Sequence, residues 1–145
     1  MRFRWAMLAG LWAAAIFPRL APAQKPAVRI GYLADGPHYF AQAACDSFRR
    51  ELDLLAGDRF DISYPEKRQI VGRHERAEIA AAGRELLAAD DVDLIVGMGL
   101  DSSAFFARET ALAKPVDLFG DMDIDLAPHP NRDGRSTHPN LTFQV

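Results

Sequence analysis

Three short polar clusters carry what chemistry this sequence offers, and each follows an apolar, strand-like run. They are Asp35-Gly36-Pro37-His38-Tyr39, then Asp101-Ser102-Ser103, then Asp121-Met122-Asp123. The middle cluster lies within "DLIVGMGLDSSAFFARET", where an apolar strand runs into a helix across glycines and hydroxyls. A helix start leaves backbone N–H groups without partners and presents the positive end of the helix dipole, so Ser102 and Ser103 are candidates for holding a carboxylate or phosphate. The same residue types are also favoured as plain helix caps, with Asp101 or Ser102 in that role. Ser102 as a nucleophile needs a base, and His38 is the one histidine placed to serve; a third triad member with recognisable spacing is missing. Asp35 and Asp101 form a possible carboxylate pair across a cleft, against structural or solvated roles for both.

Several stronger signatures are absent or broken. Gly97-Met98-Gly99 lacks the third glycine of a dinucleotide fingerprint, and no phosphate-loop pattern occurs. Asp121-Met122-Asp123-Ile124-Asp125 imitates the start of a calcium loop, but Leu126 stands where glycine is required and Arg132 where glutamate is. No serine-hydrolase elbow or paired-histidine zinc helix is present. His129 and His138 flank Asp133, where adventitious metal binding is expected rather than a built metal site. No cofactor is expected.

These clusters need elements to position them, and the hydrophobic pattern supplies an alternation. A strand is expected over 27–33, a helix over 38–55 with Phe40, Ala44, Phe48, Leu52 and Leu55 on one face, and a half-exposed strand over 60–64. The segment 65–72 reads as a polar connection. A helix follows over 74–89, then a strand over 92–96, a helix over 102–112 stopped by Lys114-Pro115, a strand over 116–119 and a fifth strand from 140. Strands alternating with helices imply an α/β fold: a doubly wound parallel sheet flanked by helices. Ligands in such sheets bind beyond the carboxyl ends of the strands, where the strand order reverses. An order 2-1-3-4 makes the loops after the first and third strands neighbours across that switch.

Residues 1–23 stand apart. A basic start, an apolar run from Trp5 to Phe17 and the trio Ala21-Pro22-Ala23 read as a secretory signal peptide cleaved after Ala23. The apolar run is shorter than the roughly 20 residues of a membrane span. The remaining 24–145 are expected to form one α/β lobe, periplasmic or secreted, with no stable membrane insertion. Removing Arg2, Arg4 and Arg19 leaves 14 basic against 20 acidic residues, a net charge of −6 that argues against a nucleic-acid partner. Cys45 is the sole cysteine, which excludes an internal disulfide, and its neighbours place it as a small buried hydrophobe.

The exported start together with "AVRIGYLADGPHYFAQAACDSFRREL", "VDLIVGMGLDSSAFFARE" and "KPVDLFGDMDIDLAP" resembles the type I periplasmic solute-binding proteins of ABC uptake transporters. The resemblance implies a small polar ligand, a membrane permease as partner and no catalysis. By it, His38 and Tyr39 belong to the first ligand loop, Ser102 and Ser103 to a carboxylate-binding helix start, and Asp121 or Asp123 to the loop after the fourth strand; Asp35 and Asp101, from the ends of the first and third strands, complete the candidate ligand-binding residues. The chain differs from the family in carrying Leu100-Asp101-Ser102 where a trio such as Thr-Pro-Ala is usual, which sets a negative charge beside the anion site. That family closes two lobes on its ligand, so "NLTFQV" is expected to begin the crossover to a second lobe. A ligand-sensing domain of a signalling protein is the alternative function, and a small secreted hydrolase using Ser102 and His38 a more remote one.

Overall fold

The computed structural model describes residues 24–37, 39–119 and 140–144. The expected signal peptide therefore lies outside the described residues. Strand β1 spans Ala27–Ala34, helix α1 Tyr39–Ala56, strand β2 Asp61–Ser63 and strand β3 Gln69–Val71, the last two separated by a single 3-10 turn over Glu66–Arg68. Helix α2 (Arg76–Ala88), strand β4 (Leu94–Met98), helix α3 (Leu100–Arg108), strand β5 (Val116–Phe119) and strand β6 (Leu141–Gln144) complete the order. The strands form one sheet in the order β2-β1-β4-β5-β6, and every described pairing is parallel. Strand order reverses between β1 and β4, as expected. Among the described residues, no helix is long and apolar enough to cross a membrane.

Period-two alternation sends side chains of each strand to opposite faces, and both faces are covered. Leu33, Ile95 and Leu118 pack with Ile79 and Leu86 of α2 and Phe106 of α3 on one side. Ile30, Tyr32, Ala34, Val96 and Met98 pack with Cys45 of α1 on the other, with Phe48 and Leu52 against them. Cys45 is buried and unbridged, and burial pushes its thiol pKa up. The result is three layers, α1 on one side of the sheet, α2 and α3 on the other.

The segment 65–72, expected to be a plain connection, instead resumes the edge strand. β2 pairs with β1 at Ala27, Val28 and Arg29, and β3 pairs with it again at Tyr32, Leu33 and Ala34. In the gap between, the Gln69 side-chain amide donates to the Ile30 carbonyl at 2.9 Å and to Pro65 at 3.3 Å. Arg49 Nη2 donates to Gln69 Oε1 at 2.5 Å and thereby orients that amide. A side chain thus takes the place of the ladder donor that the turn removes, since an unpaired strand carbonyl is costly. β3 was hidden because three residues give no readable alternation.

β4 runs two residues further than the expected 92–96, so Gly97 lies inside the strand. A Cβ there would stand 2.9 Å from Leu118 Cδ2 and 3.2 Å from Phe106 Cδ2, so the glycine admits α3 and β5 to the sheet rather than turning the chain. At the amino end of the same strand pair, Arg29 and Asp93 lock together. The Arg29 N–H donates to Asp93 Oδ2, the guanidinium makes two more bonds to the carboxylate, all at 2.8 Å, and the Asp93 N–H returns one to the Arg29 carbonyl. The guanidinium and the backbone N–H hold the Asp93 carboxyl at about 2, below its ordinary 3.8.

Candidate functional site

The site begins with backbone geometry at the carboxyl ends of β1 and β4. The Asp35 N–H continues the ladder by donating to the Met98 carbonyl at 3.2 Å, which holds the end of β1 against the end of β4. Gly99 follows with φ +115 and ψ 172, a conformation open almost only to glycine, and the chain enters α3 at once. Gly99 has no side chain to cap that helix. The cap comes from across the sheet: the Asp101 N–H donates to Asp35 Oδ2 at 2.7 Å, and the Ser102 N–H to Asp35 Oδ1 at 2.8 Å. One carboxylate oxygen therefore serves each of two otherwise orphan donors, where the helix dipole also favours negative charge.

Asp35 is 9% exposed, and Ser102 and Ser103 are each 0% exposed. The Ser102 hydroxyl donates to the Gly99 carbonyl at 3.2 Å, so it back-bonds within the helix start. Ser103 has its N–H on the Gly99 carbonyl at 3.1 Å, while its hydroxyl has no hydrogen-bond partner among the described residues. Neither serine lines an open surface. Asp101 points elsewhere, its carboxylate accepting from Arg76 Nε at 2.8 Å. The Asp35 and Asp101 carboxylates thus have separate hydrogen-bond partners.

Sequence reasoning missed the third wall. Because β3 lies beside β1, the loop leaving β3 reaches the same edge. The Gly72 N–H donates to the Ala34 carbonyl at 2.9 Å, and the His74 N–H to the Asp35 carbonyl at 2.7 Å. His74 has φ +62, a left-handed conformation that histidine visits more readily than most residues. Its ring lies against Gly36 so closely that a Cβ on Gly36 would be 2.0 Å from Nε2. Asp35 is therefore fixed through its N–H, its carbonyl and its carboxylate. The short β3 strand places His74 and Arg76 here, and its three residues carry no readable signal for it in the sequence.

Of the predicted site residues, Asp35, Asp101, Ser102 and Ser103 meet at this edge. Tyr39 opens α1 just beyond, its side chain outside what the structure describes. His38, Asp121 and Asp123 lie outside the described residues. The described part of β5 ends at Phe119, the register partner of Met98. Among the described residues, no group of three or more His, Cys, Asp or Glu side chains is placed to hold a metal ion. Compared with known proteins, the chain is matched by no family model, no curated protein and no solved structure.

Proposed function

We propose that this chain acts as an exported solute-binding protein, which captures a small polar molecule and presents it to the permease of an ABC-type uptake transporter. The observation that carries this reading is the reversal of strand order between β1 and β4, with the loops after both strands tied to each other at the carboxyl edge. Open parallel sheets bind their ligands at that place because the two loops diverge there and leave a crevice. The residues proposed to contact the ligand are His38 and Tyr39, which follow β1 in the sequence, and Asp121 and Asp123, which follow β5, with Asp35 beneath them. Asp101, Ser102 and Ser103 serve as the framework beneath them. The chemistry is recognition by hydrogen bonds, without turnover.

The test is thermal unfolding of the chain from Gln24 onward against millimolar sugars, amino acids, polyamines and nucleosides. A ligand that binds the folded form alone raises the Tm with its concentration, and calorimetry then gives one site per chain. Export is read separately, by fractionating cells and weighing the mature product. No shift with any class, or a product retaining residues 1–23 in the cytoplasm, overturns the proposal.

A further inference from the structure

We infer that Asp35 is a built-in occupant of the α3 helix start, which closes that end to free anions and restricts the solute to a neutral or cationic molecule. The second half rests on the solute-binding reading above; the first does not. Three independent features hold the carboxylate in place. Its two oxygens accept from Asp101 and Ser102 at 2.7 and 2.8 Å, which uses the donors that a ligand carboxylate would need. Gly99 leaves room for it, since a Cβ at that residue would stand 2.5 Å from the Asp35 carboxyl carbon. Its backbone is pinned on both sides, the N–H to Met98 and the carbonyl to His74.

This arrangement inverts the electrostatics that the sequence alone suggests. A helix start is ordinarily positive, but here a full negative charge sits on it and is 9% exposed. A second negative charge, Asp101, stands in the same first turn of α3 and is balanced by Arg76. A solute approaching this floor meets carboxylate oxygens with lone pairs to spare. Ammonium, amide or hydroxyl donors are matched to them, and a carboxylate or phosphate is repelled.

Amide hydrogen exchange on the wild-type chain tests the first half directly. The Asp101 and Ser102 amides have no acceptor within their own helix, so protection at both reports Asp35. Exchange at the rate of an unstructured peptide overturns the inference. The second measurement is the Tm in sodium formate against sodium chloride at matched ionic strength. Asp35→Ala is expected to melt about 5 °C or more below wild type, and formate to raise it saturably while leaving wild type unmoved. Formate stabilising wild type equally shows an open anion site and overturns closure. If Asp35→Ala does not fold, the exchange result stands alone and decides. For the second half, a carboxylate or phosphate solute that binds wild type with Asp101 and Ser102 still protected overturns the charge restriction. A panel with no binder defeats the proposed function and leaves the exchange result untouched.

Discussion

The β1–β4 pair is clamped at both ends by an aspartate, and the two clamps use the same chemistry in opposite surroundings. At the amino end Asp93 accepts from the Arg29 N–H and its guanidinium, with the two side chains 38% and 39% exposed. At the carboxyl end Asp35 accepts from two backbone N–H groups and is almost fully buried. Water competes for every group in the first clamp and for few in the second. Removing an exposed partner lets solvent replace it, whereas removing a buried one leaves donors unsatisfied. The count of hydrogen bonds favours Asp93, yet burial makes Asp35 the more consequential residue. Only the carboxyl-end clamp also shapes the candidate site.

Four experiments sharpen or break this contrast. The largest effect is expected behind the carboxyl clamp, where Phe106 is wholly buried and packs edge-on to Phe105 at 5.0 Å. Phe106→Ala should cost about 3–5 kcal/mol in denaturant unfolding, because the cavity it leaves faces the sheet. A cost under 1 kcal/mol would mean that the clamp and not the core holds α3. Gly99→Ala comes next, at about 2–4 kcal/mol, since the new Cβ needs a forbidden backbone conformation and collides with Asp35.

Asp35→Asn is expected to cost about 1–3 kcal/mol. Its amide keeps one acceptor but turns an N–H₂ donor toward a backbone donor, and the charge at the helix start is gone. Asp93→Asn is the smallest, its melting temperature close to wild type at neutral pH. The sign of its pH dependence follows from a carboxyl held at about 2 against an ordinary 3.8. The ionised form contributes in full above the ordinary value, and the contribution disappears as pH falls through about 2. The Tm difference between wild type and Asp93→Asn should therefore close on acidification. An Asp93→Asn loss as large as that of Asp35→Asn would break the comparison.

Much of this architecture was legible in the residues. The strand at 116–119 matches β5, and the expected strand order matches the sheet once β3 is taken as the continuation of its edge. Element ends were less readable: α3 starts at Leu100 instead of 102 because Asp35 receives its first free N–H groups, and it stops at Arg108 as Glu109 turns extended. At the site, Asp101, Ser102 and Ser103 were recognised as a helix start, which is where they stand. The occupant of that start was not readable. Neither were His74 and Arg76, since their place depends on a three-residue strand whose donor gap is filled by a Gln69 side chain.

Local pattern determined by itself that this chain alternates strands with helices, that the sheet is parallel, and that its glycines, serines and aspartates gather at strand ends. Those features follow from periodicity and turn chemistry over a few residues, and both are written in consecutive positions. Tertiary structure alone decided that the Asp35 carboxylate, 66 residues before Asp101, caps α3 and fills the place a ligand's anion would take. That outcome depends on the register of β1 against β4 and on the room left by one missing Cβ. Neither is encoded in the neighbours of the residues concerned, because contact across a sheet is set by which strands pair and how far each one runs.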